Sequence, residues 1–353
     1  MGGAEVQAVH VATRLDRSRF EPSVMTFYPR GPLLDTLTQA GIPVISLDKK
    51  GSLDTASFFL RLRRQVMACK PNVIHSFLDS PNIIAAALRL SWVPTRLIWG
   101  IRSSSMELRH YSLARRVGAA LERRLASVPD LIVCNSKAGR DVILSRGYPA
   151  HSSLVVANGI DVARFAEARS ERAKMRASWG ADNTTFLIGM VARLDPKKSH
   201  ETFFAAAARA AERSDDIRFV LVADRNSPRL STLLEHSKIR DRFIVLPPQR
   251  SIEMIYAGLD LNTLSSAYGE GFPNVVAEGM AAGCPTVATD TGDTRLVIGR
   301  PDLVVPPRDP EALADAWLRV SELSQAEQEA IGRAAAERIA SEFSVNAMVT
   351  RMA

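Results

Sequence analysis

The stretch Glu270-Gly271-Phe272-Pro273-Asn274-Val275-Val276-Ala277-Glu278 follows an apolar run at 259–264 that reads as a strand. Pro273 suits the first turn of a helix, because its missing N–H would be unpaired there anyway. Glu270 then lies in the loop before that helix, and Glu278 about one turn inside it. A helix N-terminus with free amides favours a phosphate, and two acceptor-only carboxylates favour sugar hydroxyls. A place that offers both fits a nucleotide joined to a sugar.

The strand–loop–helix unit recurs on either side of this stretch. Short apolar runs rich in β-formers occur at 24–27, 44–47, 73–75, 97–99, 131–134 and 154–156. Segments with helical spacing separate them, such as 56–70 and 106–126. Asn158-Gly159 is a turn signal, and a charged stretch follows it to Trp179. The alternation then restarts, with strands expected at 185–191, 219–223, 243–246, 259–264, 286–288 and 303–305. Such alternation argues for an α/β fold with parallel sheets and helices on both faces. The expected architecture is two Rossmann-like domains, 1–160 and 161–340, facing each other across a cleft. In such sheets ligands sit at the carboxyl ends of the strands.

Bulk properties narrow the class. A chain of 353 residues with 46% hydrophobic and 24% charged residues can bury a core in each of two domains. The sequence has no uninterrupted apolar run long enough to span a bilayer and no signal-peptide pattern, so a cytoplasmic protein is expected. Cys69, Cys134 and Cys284 are scattered and apolar-flanked, reading as buried free thiols rather than a disulfide or zinc framework. Residues 1–160 hold 21 Lys/Arg against 11 Asp/Glu, and residues 161–353 hold 24 against 27. A basic first half implies an anionic partner. Its basic residues are not interleaved with aromatics as a nucleic-acid strand binder requires, so an anionic membrane surface or a phosphorylated acceptor fits better.

Three further features carry candidate chemistry. The run 186–191 delivers Arg193, Lys197 and Lys198 at its carboxyl end. A bidentate guanidinium and a mobile ammonium can clamp a diphosphate, although a solvated basic turn has the same composition. His75 and Arg102 each end a strand of the first domain. They read either as acceptor or sugar contacts or as a strand-end histidine and a surface arginine. The segment 106–126 sets Arg109, Arg115, Arg116, Arg123 and Arg124 beside Leu108, Leu113, Val117 and Leu121. That is a basic amphipathic helix for an anionic membrane, or a solvated face with snorkelling arginines.

Taken in order, these motifs resemble the GT4 family of retaining glycosyltransferases of the GT-B fold. The likeness covers nearly the whole chain. It rests on Glu270–Glu278, Arg193 with Lys198, Asn158-Gly159-Ile160-Asp161, the opening Gly2-Gly3-Ala4-Glu5, Gly292-Asp293-Thr294 and Val304-Val305-Pro306-Pro307. The resemblance implies that Arg193 and Lys198 hold the donor diphosphate as it leaves and that Glu270 binds the donor sugar. The amides around Phe272, Pro273 and Asn274 would help hold sugar and phosphate, and Glu278 the ribose. Gly2 and Gly3 would form a glycine loop beside the donor, and 341–353 would begin a helix that crosses back to the first domain. The implied activity moves a sugar from a nucleotide-diphosphate sugar to a lipid-linked or polysaccharide acceptor, at the inner face of the cell membrane. No cofactor or metal is implied, in keeping with the lack of any Asp-x-Asp triplet.

The chain departs from that pattern in two places. His75-Ser76-Phe77 stands where family members often have His-x-His. Met1 stands directly before Gly2-Gly3, so the strand expected to feed the glycine loop is missing from the first sheet. That gap would leave backbone unpaired, so poor stability and weak activity are expected. The alternatives are a catalytically impaired nucleotide-sugar-binding subunit and a GT-B nucleotide-sugar epimerase. A dinucleotide dehydrogenase is disfavoured, because no Gly-x-Gly-x-x-Gly follows a first strand.

Overall fold

The computed structural model describes residues 3–28, 30–31, 33–51, 54–102, 113–182 and 184–353, the side chains of Ala114 and Arg115 apart. The chain forms two α/β units: residues 1–159 with 345–353, and residues 160–344.

Within the first unit, β1 (Val24–Thr26) pairs with β2 (Val44–Ser46), in parallel. A separate parallel sheet runs β3 (Val73–Phe77), β4 (Arg96–Ile101), β5 (Leu131–Cys134), β6 (Ser153–Val155). Among the described residues no strand joins the two sheets. Helices cover them because their apolar positions recur at helical spacing. In Thr55–Cys69, for example, Phe58, Leu62 and Val66 are the buried residues and pack with Leu47 and Leu88. The helix Val345–Met352 lies against Gly3–Arg14, and its Val345, Met348 and Val349 join Val11, Val133 and Val156 in one apolar cluster.

The second unit holds one six-stranded parallel sheet. Its strands are β7 (Phe186–Val191), β8 (Ile217–Val222), β9 (Phe243–Leu246), β10 (Leu261–Leu264), β11 (Thr286–Thr289) and β12 (Val304–Val305). Their spatial order is β12-β11-β10-β7-β8-β9. Strands β7, β8, β10 and β11 are almost wholly buried, which is why they read as continuous apolar runs. Trp317 is fully buried, meets Phe203 edge-on at 5.6 Å, and donates from Nε1 to Thr263 Oγ1 at 3.0 Å. The chain leaves β7 toward β9, then returns to place β10 on the other side of β7. The reversal makes the carboxyl ends of β7 and β10 the topological switch point, where such sheets bind ligands.

Several local expectations differ from this structure. Gly2 lies outside the described residues, and Gly3 is the first residue of the helix Gly3–Arg14 rather than part of a loop. Pro273 precedes its helix, Asn274–Ala281, instead of opening it. The basic helix is described from Leu113 to Arg124, so Leu108 and Arg109 lie outside the described residues. Cys69 is exposed while Cys134 and Cys284 are buried. Trp92 is 92% exposed and in the left-handed region at φ 64°.

Candidate functional site

In the second unit, the loops after β7 and β10 are stitched together at the switch point. Ala267 N donates to the Lys197 carbonyl at 2.7 Å, and Ser265 Oγ reaches the carbonyls of Lys198 and Ser199 at 2.9 and 3.1 Å. Lys198 Nζ thereby meets Glu270 Oε1 at 2.6 Å, and Ser266 Oγ donates to the same oxygen at 2.6 Å. The pair is largely buried, with side-chain exposures of 13% and 7%. Burial acts to raise the Glu270 pKa, but the charge and hydrogen bond of Lys198, with the Ser266 hydroxyl, hold it below the usual carboxylate range. Arg193 lies on the same loop after β7 with its side chain exposed.

The loop after β11 closes the other side. Gly292 has φ 58°, and a Cβ there would lie 2.2 Å from the Glu270 carbonyl oxygen and 2.7 Å from that of Gly271. Only glycine lets these two backbones approach so closely. Asp293 N donates to the Gly271 carbonyl at 3.1 Å, fixing the segment that presents Glu270. Phe272 is buried, with its ring 5.5 Å from that of Phe343. The Asn274 amide is not free as expected: it donates to the Phe272 carbonyl at 3.0 Å.

Glu278 lies on the helix Asn274–Ala281, where Tyr256 Oη donates to its Oε2 at 3.1 Å. Burial pushes its pKa up to about 7 despite that bond. Gly279 follows because a Cβ there would be 2.3 Å from Asn262 Nδ2, which bonds the Val275 carbonyl and pins the helix to β10. Ser266 and Tyr256 were not anticipated. Neither carries a sequence signal beyond its place near the two glutamates.

The first unit presents a second cluster at the carboxyl ends of β3 and β4. His75 and Phe77 alternate onto one face of β3 and stack, with ring centroids 4.2 Å apart. The Arg102 guanidinium lies 4.7 Å from the Phe77 ring centre, and its Nη1 donates to Asn158 Oδ1 at 2.9 Å. Burial lowers the Arg102 pKa to about 10, leaving it charged at neutral pH. Burial, and secondarily the Arg102 charge, lower His75 to about 3, so its ring is neutral. Leu78 follows with φ 79°, a left-handed conformation unusual for a bulky residue. Asn158-Gly159 is held by Gln7, whose side-chain amide exchanges hydrogen bonds of 3.0 and 2.8 Å with Gly159. On the opposite face of β3, Ser76 Oγ donates to Asn82, and Asn82 Nδ2 donates to the buried Glu122 at 3.0 Å. Glu122 is pushed up to about 7, mainly by burial.

Comparison with known proteins agrees with this arrangement. Residues 1–164 match the model of Glycosyltransferase Family 4, and residues 185–322 that of Glycosyl transferases group 1. EpsF of Bacillus subtilis (strain 168), a glycosyltransferase by name, is 25% identical over 299 residues, covering 82% of this chain and 76% of EpsF. A GDP-mannose-dependent alpha-mannosyltransferase of Mycobacterium tuberculosis (strain CDC 1551 / Oshkosh) is 29% identical over 260 residues. That match spans 70% of this chain but only 61% of the mannosyltransferase, less than two thirds of its length. The crystal structure of Anabaena HepE in complex with UDP superposes with a TM-score of 0.84 at 21% identity, covering 99% of this chain and 95% of HepE. Two Rossmann-like units with this strand order, one matched by each family model, identify the chain as a group 1, family 4 glycosyltransferase of the GT-B fold.

Proposed function

We propose that the chain transfers a glycosyl residue from a nucleoside-diphosphate sugar, with retention at the anomeric carbon, to a lipid-linked or polysaccharide acceptor. The observation that carries this reading is the buried Lys198–Glu270 pair at the switch point of the second sheet. Glycosyl transfer builds positive charge on the sugar and negative charge on the departing phosphate. Fixed donors aimed at the developing anion stabilise it without reorganisation. In this reading Lys198 exchanges its carboxylate partner for the diphosphate, joined by the exposed Arg193, and the two cations serve in place of a divalent metal. Glu270, still held by Ser266, then accepts from hydroxyls of the donor sugar. Glu278 keeps Oε1 for the ribose hydroxyls while Tyr256 holds Oε2. The departing phosphate takes the acceptor's proton, so no separate protein base is required. The UDP bound by HepE and the GDP-mannose in the mycobacterial relative's name support a nucleotide-sugar donor.

A membrane-borne acceptor is supported by the helix Leu113–Arg124. Its Leu113, Val117 and Leu121 are 73%, 59% and 43% exposed, one stripe at four-residue spacing, with Arg116, Arg123 and Arg124 also on the helix. An exposed apolar stripe with flanking arginines suits the inner face of an anionic bilayer. No helix among the described residues is long and apolar enough to cross a membrane. Thermal shift with UDP-, GDP- and ADP-sugars tests the donor, since a ligand of the native state raises its melting point. A shift with one donor class, lost in Lys198→Met, is expected; no shift with any of them would refute the reading.

A further inference from the structure

We infer that the space beside Gly100 in the first unit is an oxyanion subsite, in which Arg102 and His75 bind a phosphate or carboxylate carried by the acceptor. The inference rests on the transferase reading for the word acceptor alone; the anion site stands on the first unit's own residues.

The observation behind it is a charge that meets no counter-charge among the described residues. Among the described residues, Arg102 Nε and Nη2 and His75 Nε2 are buried and have no hydrogen-bond partner. Asn158 accepts from Nη1, and the Nε–Nη2 edge of the guanidinium meets no partner among the described residues. That edge is the planar fork that grips two oxygens of a carboxylate or phosphate. Among the described residues no carboxylate acts on it; the charge partner of note there is Cys134, whose thiol burial pushes up to about 12 and which is therefore neutral. A buried arginine is ordinarily paired, and leaving it unpaired is costly.

The three groups converge on one place. A Cβ at Gly100 would lie 3.4 Å from Arg102 Nε and 3.5 Å from His75 Nε2, so both groups face the position that a side chain at residue 100 would take. Gly100 pairs with Phe77 in the β3–β4 register, and the Phe77 ring backs both His75 and the guanidinium. The Ser76 carbonyl borders the same space at 3.0 Å and accepts the proton of a P–OH or a neighbouring sugar hydroxyl. A neutral imidazole can donate its Nε2 proton to the anion. The substitution of Phe77 for the second histidine of the family's pattern thus supplies a platform for Arg102 rather than a gap.

The test is calorimetric titration of the full chain with methyl phosphate and, separately, acetate. It is run on wild type, Arg102→Gln, Gly100→Ala and an Arg193→Gln/Lys198→Met variant that disables the donor-phosphate residues. Saturable binding that falls at least tenfold in Arg102→Gln and Gly100→Ala, but less than threefold in the Arg193/Lys198 variant, is expected. Whichever probe binds more tightly names the acceptor's group as phosphate or carboxylate. Binding unchanged in Arg102→Gln, or lost only in the Arg193/Lys198 variant, overturns the inference, as does no binding of either anion to wild type. Circular dichroism confirms that each variant is folded, and Gly100→Ala keeps both side chains, so the two variants check each other. Donor turnover, measured apart, reports on the transferase reading itself.

Discussion

Replacing Lys198 by methionine strands Glu270 in a site where it is 7% exposed, and replacing Glu270 by glutamine strands Lys198 where it is 13% exposed. Removing one member of a buried pair costs about 3 kcal/mol, because the other charge stays desolvated and unpaired. The double variant removes both charges, and the glutamine carbonyl still accepts from Ser266, so it should cost only about 1–2 kcal/mol. The implied coupling is about 4 kcal/mol, within the range measured for close desolvated pairs. The pH dependence gives a second check of sign. In wild type the Glu270 pKa is lowered, so its contribution is present above the unfolded value near 4.5 and fades as pH falls. In Lys198→Met burial is opposed only by the Ser266 hydroxyl and the Lys197 charge, so that pKa rises, the variant loses stability as pH rises above about 4.5, and its deficit is larger at pH 8 than at pH 5. Two α/β units make a single global unfolding energy ill-defined, so amide hydrogen exchange in β7 and β10 is the assay of choice. A coupling below about 1 kcal/mol, or a deficit that shrinks at high pH, would show that the pair is not buried and joined in solution.

Glu122 follows the same logic with the opposite charge balance. Raised from 4.5 to about 7, it costs the first unit roughly 3 kcal/mol once pH exceeds 7, the penalty growing between those two values. Glu122→Gln keeps an acceptor for Asn82 and should stabilise at pH 8 while changing little at pH 4.5, read by exchange in β3 and β4. Gly292→Ala forces a Cβ against the Glu270 and Gly271 carbonyls at a positive φ, so it should destabilise by about 3 kcal/mol and raise the donor KM by displacing Glu270; an unchanged KM would count against the loop's role. Trp92→Gly relieves a left-handed conformation in a side chain that packs on almost nothing, and should stabilise by about 1 kcal/mol in thermal melts.

Each of the twelve strands among the described residues could be placed from the chain, because buried parallel strands are short continuous apolar runs that need no partner to be recognised. What could not be read was which loops meet. Lys198 and Glu270 are 72 positions apart, and only the return of β10 to the side of β7 brings them together. Ser266 and Tyr256 escaped for the same reason, since an ordinary serine and a core tyrosine gain their roles from packing. The Gly3–Arg14 helix was obscured by its first residue: a glycine pair suggested a loop, although Gln7, Val11 and Ala12 already recur at helical spacing. Pro228, a good first-turn residue after Ser227, opens the helix Pro228–Glu235. His75 and Arg102 were picked out as strand ends, but their shared space depends on Gly100 facing Phe77 across the register.

The central claim is that the switch point of the second unit holds a nucleotide-sugar and turns it over. Its most direct test is product analysis with the donor that gives the largest thermal shift, comparing wild type with Glu270→Ala. Release of nucleoside diphosphate is expected, with a product whose anomeric configuration matches the donor. In Glu270→Ala a kcat at least a hundredfold lower is expected, with nucleoside-diphosphate binding within a few-fold of wild type. Undiminished turnover in Glu270→Ala, or a product of inverted configuration, would contradict it.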